Sequence, residues 1–382
     1  MGEFFWQGHN VQSSWIFKKS LTTKIFTYYL PQFHQIPEND SWWGEGFTEW
    51  TNVRKAKPLF RGHQQPLIPG ELGYYNLETS ETMKKQAKLA KDYGIDGFVF
   101  YHYWFGNGKT LLEKPILNFL NDSSIDIQFC ICWANESWKG TWHGAKNRML
   151  QEQKYLGGKD YVSHFQFLLP FFQDQRCLRI EGKPVYQVYV PENIPDWEVY
   201  KTTFEELAVQ NGLLGIYWIA VRSTENFDPT KFGIQGVINS NLNKINRYHH
   251  VNLNGIFYRY FLSNPLTRKV FKWPKRIPYS IVRKCLEDFK SEYPYDFFPL
   301  AIPNWDNTPR TKEDGSVYTG CSPEAFKEHL KACLDKAKNI SNSNKGMVFI
   351  KSWNEWAEGN ILEPEKEFGL GYLEVIKELL NE

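Results

Sequence analysis

Two carboxylates stand three residues apart near the carboxyl end of the chain. Glu355 and Glu358 follow a short apolar stretch and are framed by Trp353, Asn354 and Trp356. An ionised carboxylate beside tryptophans is costly to bury unless something holds it there. Two carboxylates in one apolar pocket can acquire different proton affinities, so that one serves as an acid and the other as a base. The spacing therefore predicts the acid–base chemistry that breaks a glycosidic bond.

The sequence around this pair offers no local counter-charge. No Lys or Arg lies between Trp353 and Glu363. A structural ion pair is therefore the less favoured interpretation, and Glu355 and Glu358 are predicted to be catalytic.

A third carboxylate leaves another pairing open. Asn135 and Glu136 follow a predicted strand, and many retaining barrel glycosidases present their acid/base as an Asn-Glu pair at a strand end. Glu136 would then pair with Glu355 as nucleophile, at the ~5–5.5 Å separation of a direct covalent mechanism. Otherwise Glu136 is expected to hydrogen-bond sugar hydroxyls.

Short apolar stretches that must position these residues alternate with amphipathic ones along the 382-residue chain. Strands are predicted at Ile25–Leu30, Gly97–His102, Ile127–Trp133, Val185–Val190, Gly215–Val221, Gly236–Asn239, Phe297–Ile302 and Met347–Ser352. Helices are predicted at about Ser80–Tyr93, Leu111–Asn121, Asp160–Phe172, Thr202–Asn211, Ser322–Lys338 and Leu373–Asn381. The alternation predicts a parallel sheet, and eight repeats predict an α/β fold of the (β/α)8 TIM barrel type.

Polar and aromatic residues gather where several predicted strands end, the face on which barrel enzymes build their sites. Aromatic residues make up 17% of the chain, with 15 Trp, and the apolar faces of sugar rings stack well on indoles. The predicted substrate-binding residues, on these strand ends and on the loop after the first strand, are Tyr29, His34, Trp42, Trp43, Glu49, Trp50, Tyr101, His102, Trp104, Trp133, Asn135, Glu136, Trp138, Tyr189, Asn304, Trp305, Asp306, Trp353, Asn354 and Trp356.

Several of these residues have a structural alternative. Only one of the adjacent Tyr28 and Tyr29 can face the barrel interior. Glu49 would otherwise form an ion pair with Arg54 or Arg61. Asn304, Trp305 and Asp306 lie where a sugar-binding wall is expected, with loop capping by Asn and Asp as the alternative. His34, His102 and His143 are interpreted as hydrogen-bonded wall residues rather than metal ligands.

Two excursions interrupt the pattern. Residues 31–76 are interpreted as a binding loop, because so long a connection rich in Trp is seldom disordered. Residues 241–285 carry ten Lys or Arg and no Asp or Glu. We interpret them as a solvated helical insertion. The alternative is a surface for peripheral contact with an anionic membrane or a polyanionic glycan.

Composition and short motifs indicate which binding partners, cofactors and cellular location to expect. The net charge of +2 predicts no nucleic-acid binding. No HExxH motif or cluster of Asp residues indicates a metal, and no cofactor is expected. The six cysteines lack finger-like spacing and are expected to be buried thiols. No signal peptide or transmembrane segment is visible, which favours a cytoplasmic location. Residues 1–24 are interpreted as an N-terminal extension and 25–382 as a single catalytic domain.

The motif after the eighth predicted strand is one of several that resemble those of the WbsX-type proteins. These proteins are found with bacterial O-antigen and capsule genes and are often labelled glycosyltransferases. The resemblance covers nearly the whole chain from about Lys24. The motifs that carry it are Tyr28–His34, Trp42–Trp50, Gly94–Phe98, Tyr101–Trp104, Cys132–Trp138 and Trp353–Gly359. WbsX-type proteins form a branch similar to glycoside hydrolase family 99, the endo-α-1,2-mannosidases.

The family 99 resemblance rests on the barrel and on the Glu-x-x-Glu of strand eight. In that family the first Glu deprotonates the 2-hydroxyl of the substrate, which attacks the anomeric carbon, while the second Glu protonates the leaving group. Water then opens the resulting 1,2-anhydro sugar with retention. The resemblance implies that Glu355 is the base and Glu358 the acid. Family 99 commonly has His where this chain has Ala357, so its exact specificity does not carry over.

Three functions follow from these observations. The first is a retaining glycoside hydrolase or transglycosylase acting on an α-linked bacterial poly- or oligosaccharide, for which the family 99 resemblance implies a mannose configuration. The second is a glycosyltransferase in O-antigen or capsular polysaccharide biosynthesis. The chain contains no Asp-x-Asp or GxGxxG motif to support a nucleotide-sugar site. The third is a non-catalytic carbohydrate-binding protein, which needs the aromatic residues but not the Glu355 and Glu358 pair.

Overall fold

The computed structural model describes residues 23–140, 148–221, 227–238, 273–340 and 346–382, together with the single residues 245, 266 and 270. The prediction for His143 and most of that for 241–285 fall outside this part of the chain. So do residues 1–22, which make up most of the expected N-terminal extension. The division into domains therefore stays a prediction.

Parallel strands at eight positions form a barrel, which confirms the predicted (β/α)8 fold. In chain order these barrel strands are Lys24–Tyr29, Gly97–Trp104, Gln128–Trp133, Lys183–Val188, Tyr217–Ala220, Gly236–Ile238, the two pieces Asp296–Phe298 and Leu300–Ala301, and Met347–Ile350. The first strand pairs with the second and the eighth, so both ends of the chain's strand series meet in the sheet.

The seventh strand is predicted as one segment but is divided at Pro299. Its first piece pairs with the sixth strand and its second piece with the eighth, which completes the ring. Proline has no N–H to donate to a sheet. Its carbonyl still accepts a hydrogen bond of 3.0 Å from Phe349 N of the eighth strand. The interruption therefore costs one donor without opening the barrel.

Helices lie between the strands and around the rim. The α-helices are Pro37–Trp43, Glu49–Lys55, Glu81–Asp92, Lys114–Asn121, Gly158–Gln173, Trp197–Gln210, Tyr279–Leu286, Thr308–Thr311, Pro323–Ile340 and Gly371–Asn381. Short 3-10 turns are Pro191–Asn193, Pro229–Phe232, Lys312–Asp314 and Trp356–Glu358. No helix among the described residues has the length and apolar character needed to cross a bilayer.

Small strand pairs decorate the barrel. Thr110–Leu111 pairs with the end of the second strand, so the helix predicted from Leu111 begins only at Lys114. The other short strands are Trp138–Lys139, Met149–Gln151, Arg179–Ile180, Lys275–Pro278, Ser316–Thr319, Asn354–Glu355 and Asn360–Ile361.

Side chains alternate between the barrel interior and the helix layer, as the twofold period of a strand requires. Tyr28 points inward, where its hydroxyl donates to Gln187 Oε1 at 2.8 Å and its ring stacks on Tyr101. Tyr29 points outward and donates to Gln86 of helix Glu81–Asp92 at 2.6 Å. This alternation decides which of the predicted residues can reach a substrate.

Candidate active site

A cavity of about 200 Å³ lies at the carboxyl ends of the strands. We call it the site cavity. Its walls come from the loops after several barrel strands. The lining residues are Leu30, Gln32, Asn39, Trp43, Tyr101, Tyr103, Ala134, Glu136, Trp138, Lys139, Leu150, Tyr189, Trp305, Arg310, Lys351, Glu355 and Glu358.

Glu355 and Glu358 both line this cavity because the chain turns sharply between them. Glu355 ends a two-residue strand that pairs with Asn360–Ile361, and Glu358 ends a 3-10 turn. Gly359 follows in the left-handed region at φ 54°. A Cβ there would stand 2.8 Å from the Asp306 Cβ atom, so both its conformation and its surroundings require glycine.

Buried hydrogen bonds fix the backbone beneath Glu355. The Asn354 side chain accepts from Leu30 N at 2.7 Å and donates to Leu30 O at 3.1 Å, which ties it to the end of the first strand. The Ser352 hydroxyl accepts from Glu355 N at 3.1 Å and donates to Asn360 O at 2.7 Å. These bonds hold the backbone at Glu355 in a defined arrangement.

Burial is the main cause of an unusual proton affinity at Glu355. The residue is 4% exposed. Desolvation raises the pKa of Glu355 well above its ordinary value, and Glu358, within hydrogen-bonding reach, raises that pKa further. Lys351 and Arg310 act in the opposite direction but do not cancel the effect. Burial therefore favours the protonated form of Glu355.

Arg310 gives Glu358 a different environment. Its Nη1 donates to Glu358 Oε1 at 2.6 Å, while its Nη2 and Nε donate to Glu49 Oε1 at 2.5 and 2.9 Å. A guanidinium at this distance favours an ionised carboxylate. The two carboxyls of the motif therefore have different environments, since burial favours the protonated form of Glu355 and the guanidinium favours the ionised form of Glu358.

Lys351 is the second cation of the site. Its Nζ lies 3.7 Å from Glu355 Oε1, too far for a hydrogen bond, and over the rings of Tyr101 and Trp305. Within the described residues, Glu355 Oε1 has no hydrogen-bond partner. One carboxyl oxygen thus remains available to a substrate hydroxyl.

Several predicted residues meet in the site cavity. Besides the two motif carboxylates, the structure places five residues of the predicted wall and one acid/base candidate there: Trp43, Tyr101, Trp138, Tyr189, Trp305 and Glu136. Glu136 is half-buried. The roles of these residues in binding or catalysis stay predictions.

Four residues predicted to bind substrate face the helix layer instead. Tyr29 contacts Gln86, and His102 Nε2 lies 3.0 Å from His164 Nε2. Trp104 stacks on His164 and Trp133 on Tyr200. Their expected contact with substrate is corrected to packing between barrel and helices, because they occupy the outward positions of their strands.

A further group of predicted residues is buried among the loops next to the site cavity and packs against other protein side chains. Trp50 packs on Trp356, whose indole donates to Glu363 Oε2 at 2.6 Å. Trp353 packs on Phe98. We therefore correct the expected substrate contact of Trp50, Trp353, Trp356 and Asn354 to a supporting role, since none of them lines the site cavity.

Four more predicted residues have protein partners and do not line the site cavity. Asn135 bonds both backbone groups of Val190, and His34 Nδ1 bonds Pro31 O. Trp42 packs edge-on against Trp138. Glu49 is fully buried against Arg310, so neither sugar binding nor the alternative ion pairs with Arg54 and Arg61 describes it.

Asn304 and Asp306 lie beside a second cavity of about 230 Å³, on the other side of Trp305. Asn304 Oδ1 accepts from Ile361 N at 3.0 Å. Asp306 accepts from His63 and Gln65 at 2.7 and 2.6 Å. Both residues therefore hold loops together. Their predicted place in the wall of the site cavity is corrected, because neither lines it. Trp305 lines both cavities.

Sequence reasoning missed the two cations. Lys351 sits two residues after the inward-facing Phe349, so its charge at an inward strand end was a readable signal. Arg310 follows the seventh strand in a short polar helix, and its pairing with Glu358 depends on how two distant loops meet. The cavity is also lined by four polar residues that were not predicted to bind substrate, namely Tyr103, Asn39, Gln32 and Lys139. No cluster of three or more His, Cys, Asp or Glu residues suited to a metal occurs in the described ranges.

Solved structures share this fold. An endo-α-mannosidase of glycoside hydrolase family 99 from Bacteroides thetaiotaomicron, in complex with bis-tris-propane, matches with a TM-score of 0.56 and 14% identity, over 94% of this chain and 96% of that one. A glycoside hydrolase-like protein matches with a TM-score of 0.57 and 13% identity, over 94% of each chain. At such identities the likeness concerns the fold alone.

Sequence relatives give the family. The uncharacterized protein WxcX from two strains of Xanthomonas campestris pv. campestris is 35% identical over 377 residues, which is 98% of this chain and 52% of the relative. The chain thus spans about half the length of these relatives. The model of a family described as "Glycosyltransferase WbsX" matches residues 25–376. The chain therefore belongs to the WbsX family.

Proposed function

We propose that this chain is a retaining glycoside hydrolase or transglycosylase that acts on α-linked, mannose-configured bacterial oligo- or polysaccharide. The observation that carries the proposal is the pair Glu355 and Glu358, which line one cavity and have different electrostatic environments. Arg310 favours the ionised form of Glu358, while burial favours the protonated form of Glu355. The aromatic walls supplied by Trp43, Trp138 and Trp305 suit the apolar faces of sugar rings.

The proposed reaction follows the roles that the family 99 resemblance implies. Substrate binding transfers a proton from Glu355 to Glu358 through their hydrogen bond. Glu355 then accepts the proton of the substrate 2-hydroxyl, whose oxygen bonds to the anomeric carbon as the glycosidic C–O bond breaks. Glu358 donates its proton to the leaving oxygen. In the second step a water or sugar hydroxyl attacks the anomeric carbon, Glu358 accepts its proton, and Glu355 returns a proton to O2.

Lys351 and Arg310 support this cycle electrostatically. Each carboxylate becomes ionised at one stage, and a cation lies within 4 Å of each. Preorganised charges of this kind stabilise a developing charge without reorganisation at the moment of reaction. Ion pairing with Arg310 also limits how readily Glu358 takes up the proton, so substrate must weaken that contact.

A second assignment of the catalytic carboxylates is supported by a separate observation, which is that Glu136 lines the same cavity as Glu355. In that scheme Glu355 attacks the anomeric carbon directly and Glu136 is the acid/base. A substrate lacking the 2-hydroxyl separates the two. Participation of the 2-hydroxyl predicts no cleavage of the 2-deoxy substrate, whereas direct attack predicts cleavage with a sugar covalently attached to Glu355, detectable in the mass of the intact protein.

Variants of the three carboxylates test the proposal. Glu355→Gln and Glu358→Gln should each lower kcat by about 10²–10⁴-fold, the usual size of a general acid or base contribution. Glu136→Gln is the matched control, since the proposal gives it a role in binding and expects mainly a higher KM. Near-normal turnover of Glu358→Gln on a substrate with a poor leaving group would remove Glu358 as the acid.

A transferase is the other candidate, because the family description names one. It predicts that oligosaccharides are extended only when a nucleotide sugar is supplied. The proposed hydrolase or transglycosylase needs no nucleotide sugar for either outcome.

A further inference from the structure

Asn39 is a buried amide in the wall of the site cavity. It belongs to helix Pro37–Trp43 and is only 1% exposed. Neither Nδ2 nor Oδ1 has a hydrogen-bond partner among the described residues. An amide buried in this way is uncommon, because each unpaired polar atom loses its hydration without compensation. Such an arrangement is expected where a ligand supplies the missing partners.

Asn39 shares a helix face with an aromatic residue of the same cavity. Asn39 and Trp43 are four residues apart on one helix, so they lie on the same face, and both line the site cavity. The helix is tied to the segment that follows it, since Asp40 Oδ1 accepts from Phe47 N at 3.2 Å. The amide and the indole are thus presented together by a fixed element.

Comparison with Asn354 shows what sets Asn39 apart. Asn354 is also fully buried, but its oxygen accepts from Leu30 N and its nitrogen donates to Leu30 O and to the Tyr75 hydroxyl. Asn354 therefore stabilises the fold. Asn39 has the same chemistry and similar burial, and in the described part of the chain it forms no such bonds.

We propose that Asn39 recognises two adjacent hydroxyl groups of a sugar ring that stacks on Trp43. A carboxamide offers a donor and an acceptor side by side, and each hydroxyl of a vicinal diol can accept or donate. The proposal rests on the glycan-active function above and deepens it, since it names the recognised unit as a sugar with a free vicinal diol. Asn39 acts by binding and takes no part in proton transfer.

The proposal predicts opposite effects on stability and binding. Replacement of Asn39 by leucine removes an unpaired buried amide and keeps a side chain with the same branching. The free Asn39→Leu protein should therefore melt at an unchanged or higher temperature, yet bind sugar about 10- to 100-fold more weakly, as loss of two hydrogen bonds implies. Asn354→Leu is the matched control and should melt at a lower temperature, because it leaves the buried N–H and carbonyl of Leu30 without their partners.

Binding is measured on Glu358→Gln protein, so that the result does not depend on turnover. The probes are methyl α-mannoside, methyl α-glucoside, methyl α-galactoside and methyl α-rhamnoside, with deoxy analogues of whichever binds best. Removal of either recognised hydroxyl should weaken binding to protein with Asn39 and have little effect on protein with Asn39→Leu. This coupling between side chain and hydroxyl is what a purely structural role would not produce.

The outcomes separate this inference from the proposed function. Equal binding with and without the Asn39 amide, a lower melting temperature of Asn39→Leu matching that of Asn354→Leu, or binding of none of the four glycosides would overturn the inference. Cleavage by the wild-type protein would then still support the proposed function. Coupled binding in the absence of any cleavage or transfer would support the inference and overturn the proposed function.

Discussion

Arg310 donates to Glu358 Oε1 at 2.6 Å and, with the opposite edge of the same guanidinium, to the fully buried Glu49. One arginine therefore connects the loop after the first strand, the loop after the seventh and the motif after the eighth. The proposed acid is held by a cation whose other partner has no access to solvent.

Removal of Arg310 should destabilise the fold. In Arg310→Met, Glu49 is left as a buried carboxylate without its cation, and breaking a buried ion pair in this way costs about 3–5 kcal/mol. The double variant Arg310→Met/Glu49→Gln removes the stranded charge and should recover most of that loss. Urea unfolding of the wild type and the three variants, with Glu49→Gln as the second single, measures the coupling. Additive effects of the two substitutions would contradict a buried pair.

Removal of the Lys351 charge should shift the alkaline limb of the pH–activity profile to higher pH. Activity in the proposed cycle requires one proton on the carboxyl pair, and the limb reports its loss. The Lys351 ammonium favours ionised Glu355 and so lowers the pKa of that group. Lys351→Met therefore raises this pKa, and kcat/KM persists to higher pH. Lys351→Arg keeps the charge and should leave the limb near its wild-type position. A higher KM with an unmoved limb would mean that Lys351 only binds substrate.

Glu355 should make the protein less stable as the pH rises. The pKa of Glu355 is raised in the folded state above its unfolded value of ~4.3. Below the unfolded value both states are protonated. Between the two values the folded state binds the extra proton, so the unfolding free energy falls with increasing pH across this window.

The Glu355→Gln variant isolates that contribution, because glutamine does not titrate. Its unfolding free energy, measured in urea across the acidic and neutral range, should decline less with pH than that of the wild type. Equal slopes for the two proteins would show that Glu355 is ionised in the folded state like an exposed glutamate.

Much of the architecture could be predicted from the sequence, because apolar strand segments and helical segments alternate repeatedly along the chain. The strand at Gly97 was predicted to end at His102 and continues to Trp104, and the seventh strand was predicted whole but breaks at Pro299. Both differences arise at strand ends or at proline, where local hydrophobicity does not report hydrogen bonding. The positions of the strands nonetheless followed from apolar stretches separated by helical ones.

The inward and outward faces of the second barrel strand could not be distinguished from the sequence. Strand Gly97–Trp104 is buried along its whole length, so hydrophobicity does not distinguish its two faces. Tyr101 and Tyr103 point to the cavity, whereas His102 and Trp104 pack on His164. Residue types alone favoured histidine and tryptophan as sugar ligands, and tertiary packing used them in the helix layer.

A matched pair of tyrosine variants tests this alternation. Tyr29→Phe removes the hydrogen bond to Gln86 and should cost about 0.5–1.5 kcal/mol of stability while leaving kcat/KM unchanged. Tyr101→Leu removes a cavity wall and should raise KM. Unfolding and steady-state kinetics of both proteins provide the comparison. A large loss of kcat/KM in Tyr29→Phe with normal stability would place Tyr29 in the site after all.

The most direct measurement is a mass analysis of products formed from defined α-linked oligosaccharides in ¹⁸O-labelled water, with and without nucleotide sugars. We predict shortened products carrying ¹⁸O, or longer transfer products, without any nucleotide sugar, and neither in Glu355→Gln or Glu358→Gln. Unchanged oligosaccharides in the absence of a nucleotide sugar, and extension only in its presence, would contradict the claim that these two carboxyls cleave a glycosidic bond.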